Sequence, residues 1–178
     1  VVPTETPVIK QNAYPYNFVT CSQAQKLASS MDSGDYNTSL MFGVQWDLIL
    51  KYLETKGTLT ADLKTNSTDW GNCYNSLWNI TNKNSKYGNI TGTIWKNEAY
   101  GAKTSGGGIV LSTGASDTFA KQGIYDLAGN VFEWTLEKTC VERGGGYILT
   151  GDIIPAADRG SHSPDQVESS IGFRISIF

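Results

Sequence analysis

The chain has 178 residues, 39% of them hydrophobic, which suffices for one sizeable core and is too little for two ordinary domains. A formal charge of −3 and a pI near 5.1 offer no field for phosphate backbones or anionic lipid, so nucleic acid is not expected as a partner and a membrane-surface role is disfavoured. The single histidine, His162, excludes multi-histidine metal centres, and the cysteines at 21, 73 and 140 lack any metal-finger or CxxC spacing.

Pro3, Pro7 and Pro15 with interleaved Thr and Glu predict an extended arm or linker over residues 1–13, ahead of one domain over 14–178. The opening stretch lacks the basic and apolar blocks of a signal peptide. No apolar run approaches the roughly 20 residues that cross a bilayer, so no membrane insertion of this segment is expected. A first helix is predicted over 22–31, where Ala24, Leu27, Ala28 and Met31 recur at helical spacing and Ser22 with Gln25 forms a capping box. A second is predicted over 44–56, with Trp46, Ile49, Leu50 and Leu53 on one face and Gly57 able to end it at positive φ. Beyond Gly57 the runs NSTDWGNCYNS, TNKNSKYGN and KTSGGG are dense in turn formers and predict long loops. Short β-favouring runs at Gly108–Leu111, Val131–Leu136 and Gly172–Ile177 predict a small, mostly antiparallel sheet, giving an α+β domain. An odd cysteine count permits one disulfide plus a free thiol and argues against a disulfide framework; Cys140 reads as a small buried residue.

In Val131-Phe132-Glu133-Trp134, period-two alternation sends Val131 and Glu133 to one face and Phe132 and Trp134 to the other, with Trp134 as a core anchor. Gly129-Asn130 supplies the tight turn into that strand. A carboxylate among aromatics must be paired or bound to a cation if it is buried, which singles out Glu133.

Four segments, in this order, resemble the formylglycine-generating-enzyme (sulfatase-modifying-factor) family: VTCSQAQKLASSM, SLMFGVQWDLILKYL, GIYDLAGNVFEWT and RGGGY…IGFRI. The resemblance runs from about Tyr16 to Ile177, is poorest between Leu59 and Lys121, and is most specific in GIYDLAGNVFEW. It implies a C-type-lectin-like fold, two helices packed on a small mostly antiparallel sheet with long loops. It also implies calcium, held by side-chain oxygens of Asp126 and Glu133 and backbone carbonyls of Gly129 and Val131, the hard oxygen donors that ion needs. The residues alone leave open that Asp126 is a turn residue and that Glu133 pairs with Arg174 or a backbone amide.

The family's enzymes oxidise a substrate cysteine with two active-site cysteines after the Gly-Gly strand, the second just before an Ala-Ala-Arg run. Here that stretch is RGGGYILTGDIIPAADRG: Pro155 stands where the second cysteine would precede Ala156-Ala157, and Thr150 lies near the first. Neither forms a thiolate, so no catalysis and no copper are expected. Cys140, upstream of the strand, does not substitute. Iron oxygenases of this fold need a histidine-rich partner domain, and His162, in GSHSPDQ, has no G-x-S-x-G motif nearby.

The same scaffold serves the variable proteins of diversity-generating retroelements, whose variation lies between the Gly-Gly and GFR strands. In the matching segment Ile148, Leu149, Ile153 and Ile154 are large and apolar among Gly, Asp, Ser and Pro, as on a binding surface, although core contacts would also account for them. The candidate ligand-binding set is Tyr147, Ile148, Leu149, Asp152, Ile153, Ile154, Asp158, His162, Gln166 and Glu168. Trp70, Tyr74, Trp78 and Trp95 read as wedges that hold loops down, ahead of a sugar-stacking role. The expectation is a non-catalytic display domain, extracellular or on a bacterial or phage particle, that binds a protein or glycan. A divergent oxidase with displaced catalytic residues and a purely structural domain of a surface or virion assembly are the alternatives.

Overall fold

The computed structural model of the chain describes residues 5–32, 34–138 and 140–178. Helix α1 spans Cys21–Ser29 and begins one residue before its predicted start. Its cap is Thr20, not Ser22: Gln23 N–H donates to Thr20 Oγ1 at 3.2 Å, and Thr20 N–H donates to Gln23 Oε1 at 3.0 Å. This register turns Cys21, Ala24 and Ala28 inward. Met31 lies beyond the helix end. Helix α2 spans Gly43–Thr55, within a residue of expectation, buries Trp46, Leu50 and Leu53, and is followed by Gly57 at φ +95°.

The middle of the chain is more ordered than its composition predicts. A third helix, α3, covers Thr60–Lys64. Beyond it, Tyr87–Gly88 pairs with both Trp95–Lys96 and Val110–Leu111, and Trp78–Asn79 pairs with Ala102–Lys103. These two-residue strands are too short for period-two alternation to register in the sequence.

The largest sheet has four strands in the order Arg159–Gly160, Val141–Arg143, Phe132–Thr135, Ile171–Phe173; its last pair is parallel and the others antiparallel. The single strand expected over 172–177 is two. Ile171–Phe173 stays in this sheet, whereas Ile175–Ile177 pairs antiparallel with Thr38–Leu40, and the break falls at Arg174. Phe132 and Trp134 face α1, packing with Val19, Ala24, Leu40 and Ile171. The Trp134 indole N–H donates to Val19 O at 2.9 Å. A second core joins α2 to Leu63, Trp70, Leu127 and Ala156, tied by the Trp46 indole N–H to Ala156 O at 2.9 Å. Trp70, Trp78 and Trp95 are buried or half-buried against these loops, as wedges are, whereas Tyr74, read the same way, is 42% exposed.

Cys21 and Cys140 form a disulfide across 119 residues, which corrects the reading of Cys140 as a plain buried residue and of cysteines as no part of the framework. The bridge ties the start of α1 to the turn after Phe132–Thr135, a proximity that linear spacing does not reveal. Cys73 is the free, buried thiol. Residues 5–13 have no regular structure and lie along the 112–114 turn, where Asn12 N–H donates to Thr113 O and Thr113 N–H to Ala13 O, both at 2.9 Å; residues 1–4 of the expected arm lie outside the described residues.

Candidate functional site

The turn before the central strand organises the site. Gly129 and Asn130 both have positive φ, +69° and +60°. A Cβ on Gly129 would lie 2.6 Å from Asn72 O, so glycine is required there by contact as well as by conformation. Asn130 is buried and its amide acts as a strand surrogate: Oδ1 accepts from Leu111 N–H at 2.9 Å and Nδ2 donates to Leu111 O at 3.0 Å. Asn72, which the sequence did not mark, donates to Asn130 Oδ1 and Ile109 O and accepts the Trp78 indole N–H. Tyr147 N–H then donates to Asn130 O at 2.8 Å, so this hub fixes where the candidate ligand segment begins.

Glu133, 6% exposed, faces away from α1 and is gripped by Arg174: Nε donates to one carboxylate oxygen and Nη2 to the other, both at 2.8 Å. Arg174 Nη2 also reaches Tyr125 O and Asp126 O. Asp126 Oδ2 accepts from Gly114 N–H at 2.8 Å, and burial pushes its pKa up to about 6. Of the four residues with which calcium was associated, Gly129 lies in the turn, Val131 follows it, and both Glu133 oxygens accept from the Arg174 guanidinium. Glu133 is thus paired with Arg174, the alternative that the residues alone left open. No group of three His, Cys, Asp or Glu suited to a metal occurs among the described residues.

The candidate ligand residues separate into buried and displayed. Tyr147 is fully buried; its hydroxyl donates to Ile90 O at 2.8 Å and lies 3.0 Å from Ser169 Oγ. Ile148 and Ile154 pack against the α1 core. Leu149 and Ile153 are displayed, 40% and 68% exposed, with Asp152 exposed between them. The backbone beneath is clamped: Tyr74 N–H donates to Leu149 O, Ser67 N–H to Gly151 O, and Gly151 N–H to Asn75 Oδ1. Asn75 Nδ2 also donates to Asp152 Oδ1, and Tyr74 is 42% exposed beside this segment.

Thr150 and Pro155 lie in this segment, and Cys73 packs under it: a Cβ on Gly151 would lie 2.9 Å from Cys73 Sγ. Burial pushes the Cys73 thiol up to about 11. Lys103 is 5% exposed, donates to Cys73 O at 2.7 Å and Tyr74 O at 3.0 Å, and burial pulls its pKa down to about 8. A lone lysine in a two-residue strand carries no sequence signal for this role.

The remaining candidates occupy a different place. His162, on the loop after the edge strand, contacts buried Glu142 through Nδ1, and burial raises the Glu142 pKa. Gln166 donates to Glu168, whose other oxygen accepts from Ser170 Oγ at 3.1 Å. Asp158 is half-buried at the foot of the edge strand. The loop itself is held by four carbonyls: Pro164 O accepts from Cys21 N–H, Glu168 O from Phe18 N–H, Ser169 O from Asn17 Nδ2 and Ser170 O from Phe132 N–H. Behind the sheet edge, buried Arg143 donates to Asp47 at 2.7 Å, and Arg159 bridges Asp47 and Glu137.

A family model described as the sulfatase-modifying factor enzyme 1-like domain matches residues 51–177. Among solved structures the chain is similar to the crystal structure of CarF, with a TM-score of 0.60 and 15% identity, covering 91% of this chain and 67% of that one. At that identity the likeness speaks for the fold alone, and the fold is the α+β, C-type-lectin-like arrangement that the motifs implied. Comparison with curated proteins by sequence finds no match. Among the described residues no helix is long and apolar enough to cross a membrane.

Proposed function

The chain belongs to the sulfatase-modifying factor enzyme 1-like domain family, and from that premise we propose that it is a non-catalytic member that displays a ligand-binding segment outside the reducing cytosol. The observation that carries this reading is the exposure of Leu149 and Ile153, at 40% and 68%, on backbone clamped to residues 67 and 74–75. Large apolar side chains held rigidly in solvent lose little entropy on binding and gain contact area when a partner covers them. Asp152, between them, supplies a hydrogen-bond acceptor for a glycan hydroxyl or a peptide N–H.

The absence of cysteine at 150 and 155 supports the non-catalytic part. The Cys21–Cys140 disulfide supports an extracellular or particle-surface location, since such bridges persist in oxidising surroundings. Variation along residues 147–170, as in the retroelement variable proteins, is part of the same proposal.

One observation favours a second reading, a displaced oxidase centre: Cys73 packs against Gly151 within the segment where the family's cysteines lie. It is a single, buried thiol held protonated near neutral pH, whereas the chemistry needs a thiolate pair.

Two assays test the proposal. Incubation with copper, oxygen and a cysteine-containing peptide is expected to yield no formylglycine by mass spectrometry. On glycan microarrays and intact cells, the Leu149→Asp/Ile153→Asp variant is expected to lose binding that the parent shows, at an unchanged melting temperature. Formylglycine above background, or full binding by the double variant, overturns it.

A further inference from the structure

Glu142, on the strand Val141–Arg143, is 2% exposed, and its two carboxylate oxygens have different surroundings. Oε1 faces His162 Nδ1, whereas Oε2 has no hydrogen-bond partner among the described residues. The other charged groups that act on it, Glu168 and Asp158, are carboxylates. Arg143 and Arg159, on the same two strands, are engaged by Asp47 and Glu137 instead. The chain makes room for the contact with His162. Gly160 is the register partner of Glu142, and a Cβ on it would lie 2.3 Å from Glu142 Cγ. Gly160 is not at positive φ, so the crossing of the Glu142 side chain, and not the backbone conformation, calls for glycine there. Past Gly160, residues 161–163 are exposed, and neither His162 nor Ser163 makes a backbone hydrogen bond to a residue outside this loop. The next anchor is Pro164 O, which accepts from Cys21 N–H at 2.9 Å. The contact with Glu142 is therefore what holds this bend to the sheet edge.

We propose that the Glu142–His162 pair is a proton-operated latch, which holds the bend at 161–163 while Glu142 is ionised and releases it, imidazole outward, when Glu142 takes a proton. Nδ1–H donates to the carboxylate from a neutral or a protonated ring alike, so it is the state of Glu142 that decides. A neutral carboxyl is the better buried form and the weaker acceptor. Protonation thus removes both the need for a partner and most of the hold on it. Burial, with Glu168 and Asp158 adding to it, raises the Glu142 pKa above its ordinary 4.5, so the latch opens in milder acid than an ordinary carboxylate would allow. His162 lies in the segment proposed above to bind a ligand. On that reading acid alters the contacts of this bend and spares Leu149 and Ile153, whose backbone is clamped to residues 67 and 74–75.

His162 is the only histidine of the chain, so its ring signals identify themselves in nuclear magnetic resonance. The test follows the ¹⁵N-labelled full chain from about pH 8 to about pH 4 and needs no ligand, so its outcome is independent of the binding assays. The neutral ring is expected as the Nδ1–H tautomer. Backbone order parameters at Ser161, His162 and Ser163 should fall from about 0.85 near neutral pH to below about 0.6 in acid, while the strand Phe132–Thr135 keeps its order. Glu142→Gln, fixed in the neutral form, should leave the bend loose at every pH. His162→Ala should do the same, and its exposed side chain makes it the variant that keeps the fold. Order at 161–163 that persists to about pH 4, a step that survives either substitution, or a neutral ring protonated at Nε2 each overturns the latch. So does loss of order in the Phe132–Thr135 strand at the same pH, which would be unfolding and not release.

Discussion

Reduction of the Cys21–Cys140 bridge should lower stability by an amount set by the length of the loop it closes. The bridge closes a loop spanning 119 residues of sequence separation. Loop-closure entropy for that length gives about 5 kcal/mol, although measured bridges more often return roughly 2–4 kcal/mol. For a chain of this size each kcal/mol moves the melting temperature by roughly 2–4 °C, so a drop of roughly 5–15 °C is expected. The assay is thermal unfolding by circular dichroism with and without reductant, paired with thiol counting in denaturant. Before reduction the count should be one, from Cys73, and after it three. Cys140→Ser should reproduce the drop without reductant. If the chain with three free thiols melts within about 2 °C of the oxidised one, the bridge does not constrain the unfolded chain as argued.

Arg174→Gln strands the Glu133 carboxylate, 6% exposed, and should destabilise by roughly 3–5 kcal/mol in urea titration. With Arg174 intact, millimolar calcium or a chelator should leave the melting temperature unmoved; a rise with calcium would show the ion displacing the guanidinium. Lys103 titrates near 8 when folded, below its ordinary 10.5, so the folded chain binds fewer protons than the unfolded one between those values and stability should rise with pH from about 8. Cys73, pushed from 9.0 up to about 11, does the opposite above pH 9, so the rise should level there; Lys103→Met should abolish it in pH-dependent urea denaturation. Gly129→Ala drives a Cβ to 2.6 Å from Asn72 O at positive φ and should cost at least about 2 kcal/mol, measured the same way; a neutral result would show that the turn is not fixed as described.

Strong periodicity made α2 and the Phe132–Thr135 strand legible, because one long face or one alternating run is decided locally. The start of α1 was placed one residue late: Ser22 with Gln25 fits a capping box locally, and only the burial of Cys21 and Ala24 makes Thr20 with Gln23 the cap. Glu133 was recognised as needing a cation, and Arg174 was among the partners considered, but only the break between Ile171–Phe173 and Ile175–Ile177 brings its guanidinium there. The candidate residues from 147 to 168 look continuous in sequence and are not so in space. Tyr147, Ile148 and Ile154 turn inward while Leu149 and Ile153 do not, a distinction that residue type cannot make. Lys103 and Asn72 were invisible because their roles depend on main-chain carbonyls and amides far away in sequence.

The loop that carries His162 is anchored through the carbonyls of Pro164, Glu168, Ser169 and Ser170, and the displayed segment through those of Leu149 and Gly151. Every amino acid supplies an identical carbonyl. Side chains at the exposed positions among these, Leu149 and Pro164, can therefore be rewritten while the attachment beneath them stays the same, so at those positions the fold separates what holds a loop from what the loop says. Buried Ser170 and half-buried Glu168 and Ser169, tied by their own side chains, and Gly151, where any side chain would collide with Cys73 and Thr68, mark the limit of what such rewriting can reach.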